Sequence, residues 1–167
     1  MDQDALRREV EQRFGTVGDA MTRRVLTFEP EMRASDAALR LASEGIAGGP
    51  VVEGGRVVGV ITLRDLLERE GHVASQTSGP FLRGERHLAK LTVGDVMTKE
   101  VVTARAGDPL VSAIELMDSA GVNRLPVVDE EERAVGILAR DDVLHAIATV
   151  LRTPVEPHAG APRIEPN

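Results

Sequence analysis

Apolar residues recur at two spacings along this chain, and the two alternate. Leu110, Val111, Ile114 and Met117 follow the three-to-four spacing of one helix face, whereas residues 125–128 and 134–138 are short runs with the composition of strands. Ahead of them, Val101-Val102-Thr103 is a β-branched run that predicts another strand, and Asp108-Pro109 predicts an N-cap with proline in the first helical position. Gly121 predicts the left-handed residue that ends this helix. A closing helix is predicted over 139–151, with Val143, Leu144, Ile147 and either Val150 or Leu151 facing inward. The order is strand, helix, strand, strand, helix.

The same order occurs earlier, because the chain contains a duplicated unit. Residues 17–53 match residues 93–129 at 13 of 37 positions with one constant offset of 76. The matches include Val17-Gly18-Asp19 with Val93-Gly94-Asp95, Met21-Thr22 with Met97-Thr98, Gly45 with Gly121, and Pro50-Val51-Val52 with Pro126-Val127-Val128. One extra residue in the acidic turn at 129–132 shifts the offset to 77, after which Gly59 aligns with Gly136, Asp65 with Asp142 and Leu67 with Leu144. In the first copy the tight turn is Glu53-Gly54-Gly55, whose glycines accept the positive φ of a two-residue hairpin. A three-stranded sheet with two helices on one face leaves its other face apolar, so a single copy of about 55 residues is marginal alone and the two are expected to pack together.

Flanking segments read differently. Residues 1–16 predict a leading amphipathic helix with Leu6, Val10 and Phe14 toward the rest of the chain. Residues 17–70 form the first unit, residues 71–91 a linker without clean periodicity, and residues 92–152 the second unit. From Thr153 onward four prolines with few apolar anchors predict a disordered tail.

Composition narrows the function. A net charge of −7, with Lys and Arg scattered among acids, argues against nucleic acid as a partner. With three Phe and no Trp or Tyr, a bound base has to lie against aliphatic side chains and backbone. No cysteine is present, His72, His87, His145 and His158 lack ligand spacing, and no metal site is expected. No apolar run reaches the roughly 20 residues of a membrane span, and no leader pattern precedes the first helix, so a cytoplasmic location is expected. No phosphate-binding loop, nucleophile elbow or His-Glu-x-x-His is present, and the expectation is that the chain is not an enzyme.

Together and in order, the leading Val-Gly-Asp-x-Met-Thr, the Gly-x4-Pro-Val-Val of each copy, and the closing Gly-Val-Ile-Thr-x-x-Asp at 59–65 and Gly-Ile-Leu-Ala-x-x-Asp at 136–142 resemble a tandem pair of CBS (cystathionine-β-synthase) domains, covering about residues 17–151. The resemblance implies an α+β, sandwich-like fold of two CBS units in pseudo-two-fold arrangement, each with a small three-stranded sheet and two helices. Such a Bateman module has two clefts that accept AMP, ADP or ATP, with or without magnesium, or S-adenosylmethionine, and commonly forms a homodimer. By the same resemblance Asp65 and Asp142 would bond ribose hydroxyls, Thr62 and Arg124 would approach phosphates, and Val25, Ile46, Val101 and Val122 would hold adenine.

Elementary chemistry supports parts of this. Thr62 and Ala139 stand at helix N-termini, where unpaired N–H groups and the helix dipole favour an anion. A carboxylate such as Asp65 can accept two hydroxyl hydrogen bonds from a vicinal diol. Thr62-x-x-Asp65 is equally a capping box, and Arg124 could equally pair with the acids at 129–132. The copies also differ: the first has Thr62 but no base in Ala47-Gly48-Gly49, and the second has Asn123-Arg124 but Ala139 in place of a hydroxyl. The leading expectation is a nucleotide-sensing regulatory module acting on a separate target protein; the alternative is a structural or oligomerisation module with vestigial clefts.

Overall fold

The computed structural model describes residues 2–76 and 88–152. Most of the predicted linker and the whole predicted tail lie outside the described residues, as does Met1.

Helix α1 (Gln3–Phe14) starts on an Asp2 cap and ends at Gly15, whose φ is 73°. It rests on the second copy, and Arg7 reaches Glu115 at 3.1 Å. None of its residues is buried: Val10 and Phe14 are half-buried, and Leu6 stays 47% exposed. The first copy continues through α2 (Val17–Ala20), α3 (Ala34–Glu44), β1 (Gly48–Glu53), β2 (Arg56–Thr62) and α4 (Leu63–Gln76). The second repeats it as α5 (Val93–Val96), α6 (Leu110–Ala120), β3 (Arg124–Val128), β4 (Ala134–Ala139) and α7 (Arg140–Arg152). Gly45 and Gly121 end α3 and α6 in the left-handed conformation, at φ 64° and 65°, as their positions predict.

Each hairpin is antiparallel, and each shifts register once at the equivalent place, between Val51 and Val52 and between Val127 and Val128. Gly54 and Gly55 turn the first hairpin with positive φ, while the longer acidic turn of the second needs Glu132 at φ 63°.

Three expectations are corrected. The third strand of each sheet is a single parallel bridge, Phe28 to Val51 and Ala104 to Val127. Val101 to Thr103 form no ladder, because Val101 and Val102 face a cleft where their β-branched side chains are half-buried without a strand beside them. Asp108 does not cap α6: its carboxylate accepts the Arg105 N–H at 2.8 Å, and Pro109 occupies the N-cap position outside the helix. On α7, Val143 is buried and Ile147 and Val150 are half-buried, so Val150 and not Leu151 is the inward one of that pair, but Leu144 faces outward at 58% exposure.

The two copies exchange their leading segments. Thr22 N donates to the Ile137 carbonyl and Ile137 N to the Thr22 carbonyl, both at 2.9 Å; Val60 and Thr98 form the equivalent pair at 3.0 and 2.9 Å. Val17 and Met21 therefore join the core of the second copy, with Leu110, Met117, Leu125 and Leu138. Val93 and Val96 join the core of the first, with Phe28, Leu41, Val51 and Ile61. Two small cores result, each built from both copies.

Two glycines make the exchange possible. A Cβ on Gly136 would lie 2.6 Å from Met21 Sδ, and one on Gly59 would meet Met97 in the same way. Gly136→Ala is expected to destabilise the fold by about 1–3 kcal/mol through overpacking. Combined with Met21→Ala in urea unfolding, it should cost less than the sum of the two single changes, and strict additivity would show that the thioether is not the obstacle.

Asp19 and Asp95 close the starts of α2 and α5. Each carboxylate accepts a backbone N–H, from Thr16 at 2.9 Å and from Thr92 at 2.8 Å, and also the hydroxyl of the same threonine at 2.9 Å. The backbone bond first and the hydroxyl second hold both carboxyls below their ordinary range. Their contribution is complete above about pH 4 and is lost as pH falls through the lowered folded-state values. Urea midpoints measured from pH 7 to pH 2 should drop on the acid side, with a shallower drop in Asp19→Asn/Asp95→Asn.

Candidate functional site

Crossing of the leading segments opens two clefts between the copies, one on each side of the pseudo-two-fold axis. The wider, about 620 Å³, is walled by Thr22, Arg24, Val25 and Leu26 of the first leading segment, the end of α3 and the loop after it, and Ile137, Ala139, Asp141 and Asp142 of the second copy. The narrower, about 260 Å³, has Thr98, Glu100, Val101 and Val102 on one side and Val60, Thr62, Leu63, Arg64 and Asp65 on the other, with Gly121 to Arg124 closing it. The wider lies within the range of about 300–1,000 Å³ common for small-molecule sites, and the narrower just below it.

The candidate residues divide accordingly. Val25, Ile46, Ala139 and Asp142 line the wide cleft, whereas Thr62, Asp65, Val101, Val122 and Asn123 line the narrow one. Arg124 lines both. Each cleft thus takes its closing aspartate from one copy and its aliphatic wall from the other, so the residues of one copy do not share one cleft.

Asp65 and Asp142 stand at the first turns of α4 and α7, half-buried. Asp65 Oδ2 accepts the Thr62 N–H at 2.8 Å and the Thr62 hydroxyl at 2.7 Å, and Asp65 N donates back to that hydroxyl at 3.2 Å. The capping-box reading of this pair is therefore realised. Asp142 Oδ2 accepts the Ala139 N–H at 2.8 Å, so it caps as well, but Ala139 returns no hydroxyl bond and leaves the α7 amides more open. In both aspartates the second oxygen faces the leading threonine of the other copy at the long distance of 3.5 Å, Thr98 to Asp65 and Thr22 to Asp142. Each carboxylate keeps one weakly engaged acceptor directed at a cleft.

Arg124 does not pair with the acids at 129–132. Arg133 holds Asp129 and Glu131 at 3.5 and 3.3 Å, and Arg105 holds Glu132 at 3.3 Å. Two further guanidiniums line the wide cleft: Arg24, and Arg40, which lies 5.7 Å from the centre of the Phe28 ring and donates to the Thr27 carbonyl at 3.4 Å. Neither stood out as a candidate in the sequence, although the offset of 76 places Arg24 opposite Glu100, a charge reversal that marks both. Among the described residues no group of His, Asp and Glu could hold a metal ion, and no helix is long and apolar enough to cross a membrane.

A family profile of the CBS domain matches residues 17–71 and again residues 93–149. The chain belongs to the CBS domain family. Protein MJ1225 of Methanocaldococcus jannaschii is 33% identical over 133 residues, which are 79% of this chain and 47% of MJ1225. This CBS pair spans about half the length of curated relatives such as MJ1225, whose crystal structure matches 86% of it with a TM-score of 0.70. CBSX2 of Arabidopsis thaliana, solved in complex with AMP, is 31% identical with a TM-score of 0.65, covering 82% of this chain and 98% of CBSX2. The CBS domain pair of MJ0100, solved with 5′-methylthioadenosine and S-adenosyl-L-methionine, is 25% identical with a TM-score of 0.66, covering 80% and 99%.

The two caps differ in strength, and so should their removal. Asp65→Ala loses two short bonds, from the Thr62 N–H and hydroxyl, and is expected to cost up to about 2 kcal/mol, whereas Asp142→Ala, losing one short bond, belongs nearer about 0.5 kcal/mol. Urea unfolding of both variants without ligand checks the order, which equal losses would contradict.

Proposed function

We propose that this CBS pair is a regulatory module that binds an adenosine-containing ligand between its copies and transmits the resulting change of packing to a separate protein. The observation that carries the reading is the pairing, in each cleft, of a closing aspartate having one weakly engaged oxygen with an aliphatic wall from the other copy. A diol suits the carboxylate, and a flat apolar base suits Val25 and Ile46, or Val101 and Val122, in a chain without Trp or Tyr. AMP in CBSX2, and 5′-methylthioadenosine with S-adenosyl-L-methionine in the MJ0100 pair, support the ligand class.

Transmission follows from the crossing. A ligand against Thr22 and Asp142 touches the leading segment of one copy and the first turn of α7 in the other, so its affinity depends on their separation. The ligand favours whichever packing it fits better, and the shift cannot exceed that difference in affinity. A second copy of the chain, as a homodimer, and a separate target are both surfaces on which such a shift could be read. The reaction-free character of the site belongs to the same proposal: its carboxylates act as caps and acceptors.

A thermal-shift series with AMP, ADP, ATP, S-adenosylmethionine and GTP tests the ligand class. At about 100 times its dissociation constant a ligand adds roughly 2.7 kcal/mol, several degrees for a domain of this size. An adenosine compound should raise the midpoint, with a smaller rise in Asp142→Ala or Asp65→Ala. No shift with any of the five would favour the structural module with vestigial clefts.

A further inference from the structure

Arg124 begins β3 in the wall between the clefts and lines both. The offset of 76 makes Gly48 its equivalent, which begins β1. Gly48 is buried, and a Cβ there would sit 2.8 Å from the Ile61 carbonyl oxygen and 3.0 Å from the Thr62 methyl, so the first copy has no room for a matching side chain. The dividing wall therefore carries one guanidinium for two clefts. Among the described residues Arg124 makes no ion pair, and the acids that line the clefts with it are Glu44, Asp141 and Asp142 in the wide one and Asp65 and Glu100 in the narrow one.

We infer that Arg124 is a phosphate ligand for which the two clefts compete, so that filling one with an anionic adenosine compound weakens the other. This rests on the nucleotide reading above. A guanidinium is a planar fork that closes on one phosphate group in two parallel bonds. Drawn into one cleft, it cannot present the same fork to the other. The wide cleft also holds Arg24 and Arg40 among Glu44, Asp141 and Asp142, while the narrow one holds Arg64 with Asp65 and Glu100. An uncharged adenosine makes no demand on the fork and leaves the clefts independent. Because coupling between binding sites is reciprocal, a phosphate placed first in the narrow cleft weakens the wide one by the same factor.

Calorimetric titration of the full chain with AMP and with adenosine tests this. Asp65→Asn and Asp142→Asn, which keep a carbonyl oxygen for the caps, each weaken one cleft and give the intrinsic constant of the other. The product of the two wild-type constants for AMP is expected to fall about tenfold below the product of the intrinsic ones, within the range common for coupled sites. Adenosine should show no such deficit, and for AMP the deficit should vanish in Arg124→Gln. Arg124→Lys, which keeps the charge without the fork, should also reduce it and serves should the Gln variant fail to fold. A deficit that persists in both variants would assign the coupling to phosphate repulsion and overturn the inference. An equal deficit with adenosine, no deficit in the wild type, or one cleft that never binds would also overturn it, with the nucleotide reading intact. Failure of the wild type to bind either compound would remove that reading together with the coupling.

Discussion

The fold depends on a thioether laid over a glycine. Met21 Sδ occupies the space above Gly136, and Met97 Sδ the space above Gly59, where a side chain on either glycine would collide. With that space clear, Thr22 and Thr98 come close enough to pair with Ile137 and Val60 of the opposite copy. Everything N-terminal to each threonine is thereby committed to the other copy's core: Val17 packs beneath α6, and Val93 beneath α3. Methionine suits this position because an unbranched, polarisable chain fills an irregular gap that a β-branched residue would strain. Neither copy completes a core without the other, and each alone is of a size at which burial scarcely offsets chain entropy.

Both clefts are consequences of that exchange. Where a leading segment crosses between the hairpins, it runs beside the first turn of the opposite closing helix, with Thr22 facing Asp142 and Thr98 facing Asp65 at 3.5 Å, and a gap opens there. The gap is lined by backbone and aliphatic side chains on one side and by a capping carboxylate on the other. A ligand there bridges two elements that belong to different copies yet share a core. Binding and the packing of the halves are then one equilibrium, and no separate hinge is required.

Much of this was legible in the sequence because duplication supplies its own control. The constant offset of 76 fixed the elements, and Gly45, Gly121 and Gly54-Gly55 announced left-handed residues that only glycine adopts without strain. The third strand was not legible: Val101-Val102-Thr103 has the composition of a strand, but β-branched residues suit any half-buried pleated surface, and here a cleft wall takes the place of a ladder. Leu144 was misplaced because helical spacing specifies a stripe and not its centre, which α7 sets on Val143. The exchange itself leaves no local signal. It follows from clearance at Gly59 and Gly136, which a single strand pattern cannot express. For that reason Arg24 and Arg40, which line the wide cleft with Asp142, went unnoticed.

The places where the copies agree and differ follow the same physics. Val17, Met21, Gly59, Pro50 and Val51 have identical counterparts, and each sits where backbone crosses backbone or a core is closed, so that a change in volume is felt at once. Gly48 against Arg124, Arg24 against Glu100, Ala139 against Thr62 and Asp141 against Arg64 differ in charge or hydrogen-bonding capacity, and all of them line a cleft. At the open positions either residue is accepted at little cost, whereas at Gly48 the Ile61 carbonyl leaves no room for a side chain. A backbone with near two-fold symmetry thus encloses two clefts of different volume and different placement of charge, and a ligand that fits one is not bound to fit the other.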